Sequence, residues 1–395
     1  MSPDPLDVLF VGVLPPHSGG SAISASQIVA GLAGRGHVIR AVAPITEEAA
    51  LAGDVFARRH PELTILRFRV PYFHVDPMVP APEAYRRLEE DQVQRLVSAL
   101  LEARRPDVIF LGRETYAACV PPIATRRRLP FVLRLAGGTT RGILDGQYPP
   151  ELGTAMLDGY RAAEAAVSPG RHLADLVRAR GVGRVVVIPT AIDLDRFTPR
   201  PKDDRLLQDL GIPAGAVVIA HVSNLKPVKR PLDLVQSAVE TTRRDARLIY
   251  LIIGDGPFRE RMEEACRQAG VRDRFRFAGW IDYAAMPGYL NLADLVVMPS
   301  ESEGLARVYV ETQASGRALL ASDIPAAREV VVDGETGLLF RLGDVADLTA
   351  KTLRLAAAPD LRATIGQNAR ARVGGHALDG AVEAYERVIY TAVSR

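Results

Sequence analysis

The chain has only two cysteines, Cys119 and Cys266, far apart among its 395 residues. A pair so placed is no disulfide framework and suits a reducing, cytoplasmic setting. Charge of neither sign is in excess: the net charge is +2. That gives no footing for nucleic acid, whose partners usually carry a marked basic surplus. No apolar run approaches the roughly 20 residues needed to span a bilayer, so no integral membrane segment is expected. The opening residues 1–7 are too acidic and too poor in apolar residues for a signal peptide. Lysine is scarce as well, occurring only at Lys202, Lys226, Lys229 and Lys351. Two of the four therefore fall within one short loop. What remains is an ordinary globular composition, 48% hydrophobic and 24% charged, with a length that suggests two domains.

The most informative stretch runs from Pro299 to Glu311. The apolar segment before it, Ala293 to Met298, reads as a short buried strand. Pro299 and Ser300 break it, and Gly304 supplies a tight turn. From about Leu305 the pattern is helical and continues through Ala314 to the break at Gly316. Glu303 thus sits in a loop, and Glu311 lies in the first turns of a helix. Free backbone N–H groups at such a helix start favour a phosphate. Glu303 is placed to meet something attached to that phosphate, and Glu311 something on its other side.

Two halves show the same plan. In the first, strands are expected at 7–13, 38–43, 63–70, 108–111, 131–135, 165–167 and 185–188. Helices are expected at 22–35, 82–104, 152–161 and 172–179. In the second, strands at 216–222, 248–253, 275–277, 295–298 and 319–321 alternate with helices, the first at 231–242. Alternation of this kind implies doubly wound parallel sheets. The polar, proline-bearing stretch 198–204 reads as the linker. The expected domains are 1–197 and 205–379.

Further segments carry chemistry. Gly19 and Gly20 follow the first strand and open a helix, where glycine lets backbone approach an anion closely; a plain turn is an equal reading. They do not form the dinucleotide fingerprint. Residues 223–230, Ser-Asn-Leu-Lys-Pro-Val-Lys-Arg, follow a strand of the second half. Lys226, Lys229 and Arg230 are well placed there for a diphosphate. Arg126, Arg127 and Arg128 read better as a solvated helix end than as a membrane contact. The histidines and cysteines show no zinc-type spacing.

The spacing of Glu303 and Glu311 resembles the E-x7-E signature of the family 4 glycosyltransferases, retaining enzymes of the GT-B fold. Other segments resemble that family in order: 186–197, 254–257, 277–280, 294–300 and 333–339. The resemblance implies two Rossmann-like domains facing across a cleft, with a final helix, about 380–395, crossing back to the first. It implies that Glu303 contacts the hydroxyls of a donor sugar and that Glu311 binds the ribose of its nucleotide. Backbone N–H groups of Leu305, Ala306 and Arg307 would hold the diphosphate. Trp280 and Ile281 would frame the nucleobase, though Trp280 reads equally well as a core or rim aromatic. Gly19 and Gly20 would touch donor phosphate or acceptor.

The basic loop matches the family at Lys229 but has Asn224 where an arginine is usual. Its form is similar to the N-acetylglucosaminyl malate synthases, and Lys226 would then supply the second positive charge. A second departure lies at 131–140, where Ala136 occupies the place of a histidine that lines the family's catalytic centre. Arg134, Thr139, Thr140 and Arg141 become candidate substitutes or acceptor contacts. Asp193 and Asp195 spell D-x-D, a metal–nucleotide signature of a different glycosyltransferase fold, but inside the inter-domain segment; no metal or cofactor is expected.

The reading is a metal-independent, retaining glycosyltransferase. It would move a hexose or N-acetylhexosamine from a UDP-sugar to the hydroxyl of a small-molecule or glycan acceptor. Glu303 and Lys229 would carry the catalysis. Two alternatives stand beside it. One is a hydrolase using both glutamates, which would need carboxyls about 5 Å apart. The other is a nucleotide-sugar-binding sensor without turnover.

Overall fold

The computed structural model describes residues 4–17, 19–74 and 80–394. Ser18, which precedes the glycine pair in sequence, lies outside the described residues. Thirteen strands form two parallel sheets among the described residues. The first sheet holds β1 (Asp7–Val11), β2 (Val38–Thr46), β3 (Thr64–Val70), β4 (Val108–Leu111), β5 (Phe131–Arg134), β6 (Ala165–Ser168) and β7 (Val185–Val187). The second holds β8 (Val217–Val222), β9 (Leu248–Ile253), β10 (Phe275–Gly279), β11 (Leu295–Met298), β12 (Ala318–Ser322) and β13 (Leu338–Phe340). The spatial orders are β3-β2-β1-β4-β5-β6-β7 and β10-β9-β8-β11-β12-β13. Both are doubly wound, Rossmann-like sheets in which the order reverses next to the first strand.

The central strands are buried along their whole length, as strands covered by helices on both faces must be. Their Val, Ile and Leu runs therefore do not alternate with polar residues. β3 lies at an edge, and there exposed Thr64 and Arg69 interrupt the apolar pattern. β2 runs past Ala43 to Thr46 because its register with β3 continues through Pro44 opposite Phe68.

The chain divides into two compact units. The first comprises the chain up to Thr190 together with Leu378–Arg395, and the second Ala191–Ala377. The change of unit thus lies upstream of 198–204, where the sequence suggested a linker. The physical reason is a set of hydrogen bonds that hold 191–200 to the second unit. Arg307 Nη1 donates to Ala191 O (3.0 Å), Arg370 Nη1 to Phe197 O (2.9 Å) and Asn291 Nδ2 to Thr198 O (3.0 Å). The final helix, Leu378–Val393, packs within the first unit. A Cβ on Gly31 would stand 2.5 Å from Val382, so the helix Gly20–Gly34 meets the final helix at a residue without a side chain. Among the described residues no helix is long and apolar enough to cross a membrane.

Candidate functional site

In the second unit β8 and β11 are neighbours at the point where the strand order reverses. Loops leaving the carboxyl ends of such a pair splay apart and leave room for a ligand. The two loops here are 223–230 and 299–306, the two chemistry-bearing segments of the sequence. Their backbones are joined, Glu301 N–H donating to Val228 O (2.8 Å). Lys229 Nζ lies 2.5 Å from Glu303 Oε1, with side chains 18% and 9% exposed. Lys226 is buried, with only 3% of its surface exposed. A positive loop and a loop carboxylate, 74 positions apart in sequence, are thus brought together.

The helix carrying Glu311 spans Arg307–Ala314, beginning two residues later than expected. Ala306 is its extended N-cap, and Leu305 lies in the turn before it. All eight helix residues are buried. Glu311 accepts a hydrogen bond from Tyr283 Oη (2.9 Å) and stands 3.3 Å from Arg307 Nε. Arg307 also donates to Tyr283 Oη. The guanidinium carbons of Arg196 and Arg307 lie 5.1 Å and 5.2 Å from the Tyr283 ring centre, each close enough for a cation–π contact. Burial, and then the Glu311 charge, push the Tyr283 phenol far above its usual range. Glu303 and Glu311 therefore have separate partners, a cationic loop for one and a Tyr–Arg cluster for the other.

Trp280 is 54% exposed, and Ile281 is half-buried against the core. Beside them, a Cβ on Gly256 would stand 1.8 Å from Asn224 O, and one on Gly254 2.0 Å from Ser223 O. The 254–257 turn thus lies directly against the basic loop. Asn224 is half-buried, and its Oδ1 has no hydrogen-bond partner among the described residues. Asp193 Oδ1 accepts from the N–H groups of Asp195 and Arg196 (both 3.0 Å), so the D-x-D tripeptide is built as a turn. No group of three or more His, Cys, Asp or Glu among the described residues could hold a metal ion.

In the first unit Gly19 is the N-cap of Gly20–Gly34 at φ +103°, with open space where a Cβ would be. Arg134, at the end of β5, is buried and donates to Ser21 Oγ (3.3 Å). This places the glycine turn and Arg134 together at the carboxyl ends of β1 and β5. Thr139 and Thr140 are buried; the Thr140 hydroxyl donates to Glu114 Oε1 (2.6 Å), which also receives Gly137 N–H (3.2 Å). Arg141 turns to Asp145 (2.7 Å). Burial raises the Glu114 carboxyl above its usual range. Glu114 therefore tethers the turn that carries Ala136 and occupies the Thr140 hydroxyl.

Sequence reasoning missed Tyr283, Glu114 and His221. Tyr283 stands three residues past Trp280, so the nearest signal was there. His221 and Glu114 gave none, since only partners distant in the chain define them.

Two family models match the chain. The one described as glycosyl transferases group 1 covers residues 202–372, and the glycosyl transferase 4-like domain covers 19–191. The chain belongs to the family 4 glycosyltransferases. Among curated relatives, this glycosyltransferase is 32% identical over 236 residues to D-inositol 3-phosphate glycosyltransferase 2 of Catenulispora acidiphila, covering 55% of each chain. It is 34% identical over 170 residues to 2-deoxystreptamine N-acetyl-D-glucosaminyltransferase of Streptomyces fradiae, covering 42% of this chain and 40% of that one. The chain spans about half the length of these relatives. Among solved structures, sucrose-phosphate synthase of Thermosynechococcus elongatus superposes with a TM-score of 0.82 at 18% identity, over 98% of both chains. Anabaena HepE in complex with UDP-glucose superposes with a TM-score of 0.80 at 18% identity, over 98% of this chain and all of that one. The fold of this glycosyltransferase is accordingly GT-B.

Proposed function

We propose that this glycosyltransferase moves a hexose or N-acetylhexosamine from a UDP-sugar to an acceptor hydroxyl, with retention and without a metal. The observation that carries the reading is the meeting of Lys229 and Glu303 at the carboxyl ends of β8 and β11, beside the start of the helix Arg307–Ala314. Lys226, Lys229 and the amides of Leu305, Ala306 and Arg307 meet the diphosphate. Asn224 lines the same loop. Glu303 meets the sugar hydroxyls, Glu311 the ribose, and Trp280 and Ile281 the base. The structures of HepE with UDP and UDP-glucose support the choice of UDP.

The bond between the anomeric carbon and the diphosphate oxygen breaks as the acceptor oxygen bonds to that carbon from the same face. The acceptor's proton passes to the departing diphosphate oxygen. The protein's contribution is positioning and stabilisation of charge on the leaving diphosphate. No side chain is required as a nucleophile.

In the first unit, Gly19 and Gly20 serve donor phosphate or acceptor. Arg134 remains a candidate acceptor contact; Thr139, Thr140 and Arg141 are assigned to the helix Gly138–Leu144 that shapes that side. The names of the relatives, acting on inositol 3-phosphate and 2-deoxystreptamine, favour a ring polyol as acceptor. The test is a panel of UDP-, GDP-, ADP- and dTDP-sugars, each with and without cyclitol acceptors, with nucleotide release as the readout. Turnover confined to a non-uridine donor refutes the assignment.

A further inference from the structure

Below the basic loop lies a chain of hydrogen bonds that the reaction itself does not use. His221, on β8, is 1% exposed. Its Nδ1 lies 2.9 Å from Val297 O, and its Nε2 lies 2.8 Å from Ser223 Oγ. A carbonyl oxygen can only accept, so Nδ1 carries the proton and Nε2 is left with a lone pair. Ser223 O–H therefore donates to Nε2, and its oxygen accepts Leu225 N–H (3.1 Å). Burial, the largest influence, pushes the imidazole down to about 4, so the neutral form that this ordering needs holds throughout the neutral range.

The chain does two things. Through Val297 it ties the end of β8 to β11, the strand that leads into the Glu303 loop. Through Leu225 it fixes the start of the lysine loop. Leu225 has φ +40°, a left-handed backbone that is strained for a residue with a branched side chain. That conformation turns the chain directly before Lys226. From the other side, Gly254 and Gly256 press against the carbonyls of Ser223 and Asn224. Leu225 O is held as well, by Phe258 N–H (2.9 Å). The segment that aims Lys226 and Lys229 is thus gripped on each side, and the His221–Ser223 pair supplies the grip from within the sheet.

We propose that His221 and Ser223 are positioning residues for the diphosphate-contacting lysines, holding Leu225 left-handed so that Lys226 and Lys229 face the site. The inference rests on the reading of that loop as the diphosphate contact.

Its test compares UDP with uridine, because misplaced lysines weaken only the part of binding that comes from the phosphates. UDP is titrated by calorimetry and uridine by ligand-observed NMR into the full chain, as wild type, Ser223→Ala, Ser223→Thr, His221→Phe, the Ser223→Ala/His221→Phe double variant and Lys229→Ala. Ser223→Ala should weaken UDP about tenfold, the worth of one hydrogen bond at the upper end of its usual range, with uridine unchanged. Ser223→Thr, which keeps the hydroxyl, should restore UDP binding. The double variant should lose no more than the larger single loss, since both changes cut one chain. Equal weakening of UDP and uridine by Ser223→Ala overturns the positioning role in favour of plain stability. So does an unchanged UDP affinity in Ser223→Ala when Lys229→Ala weakens UDP. If Lys229→Ala itself leaves UDP binding intact, the reading of the loop fails and the positioning role with it. Should His221→Phe not fold, the serine variants decide alone.

Discussion

Glu303→Gln should abolish most sugar transfer and at the same time tighten UDP binding. The second effect follows from the 2.5 Å contact between Lys229 Nζ and Glu303 Oε1. Both side chains are largely sheltered, at 18% and 9% exposure, so the contact is worth more than a surface pair. A hydrogen bond to a charged group contributes about 1.5–3 kcal/mol, against about 0.5–1.5 for a neutral one. Lys229 has to loosen that contact to meet a diphosphate. Replacing the carboxylate by an amide lowers the cost by about 1–1.5 kcal/mol, which is roughly tenfold in affinity. Calorimetric titration of UDP into both proteins reads this directly. Repeating it in higher salt should narrow the difference, since charge on the phosphates is screened. Weaker UDP binding in Glu303→Gln, with an unchanged melting temperature, would show that Lys229 is not contested between the carboxylate and the diphosphate.

Three more predictions concern neighbouring groups. Glu311→Ala should weaken UDP by about 1.5–3 kcal/mol through the ribose and also lower the melting temperature. It leaves Arg307 buried without its carboxylate, a loss of about 3–5 kcal/mol; calorimetry showing unchanged UDP affinity refutes the ribose assignment. Lys229→Ala should impair donor use more than Lys226→Ala, and adding Asn224→Arg to Lys226→Ala should recover activity; steady-state kinetics with melting temperature as control would expose the loop as irrelevant if Lys226→Ala is silent and Lys229→Ala merely unstable. His221, whose proton affinity falls from 6.5 to about 4 on folding, contributes stability that is fully present above pH 6.5. That stability is lost as the pH falls towards 4, because the unfolded chain takes up a proton the folded one refuses, roughly 3–4 kcal/mol in all. Denaturant unfolding at pH 7 and pH 4.5 should therefore show a smaller acid loss in His221→Phe than in the wild type, and equal losses would refute the buried neutral imidazole.

Much of this architecture is legible in the sequence, for physical reasons that also mark where legibility stops. β4 and β9 begin and end at the expected residues because each is an unbroken apolar run, and a strand buried on both faces needs no alternation. β13, three residues long, is too short to show any period. The helix start at Arg307 was placed two residues early because Leu305 and Ala306 are apolar and helix-compatible, while the N-cap has no side-chain acceptor to mark it. The linker is a related case. Its polar composition is visible, but the arginines that bind 191–200 to the second unit lie more than a hundred positions away in the chain. Lys229 and Glu303 stand out as candidates because lysine is rare and the glutamate spacing is distinctive. His221 and Glu114 were not, since a buried polar residue takes its meaning from its partner, and Val297 lies 76 positions from His221.

The central claim is that donor chemistry depends on the loop carboxylate at the β8–β11 junction. Its most direct test is the rate of UDP release from UDP-glucose and UDP-N-acetylglucosamine at saturating donor, measured side by side for the wild type and Glu303→Gln. The account predicts release by the wild type from at least one of these donors, and loss of most of that rate in the variant while UDP still binds. Near-native release by Glu303→Gln would contradict it.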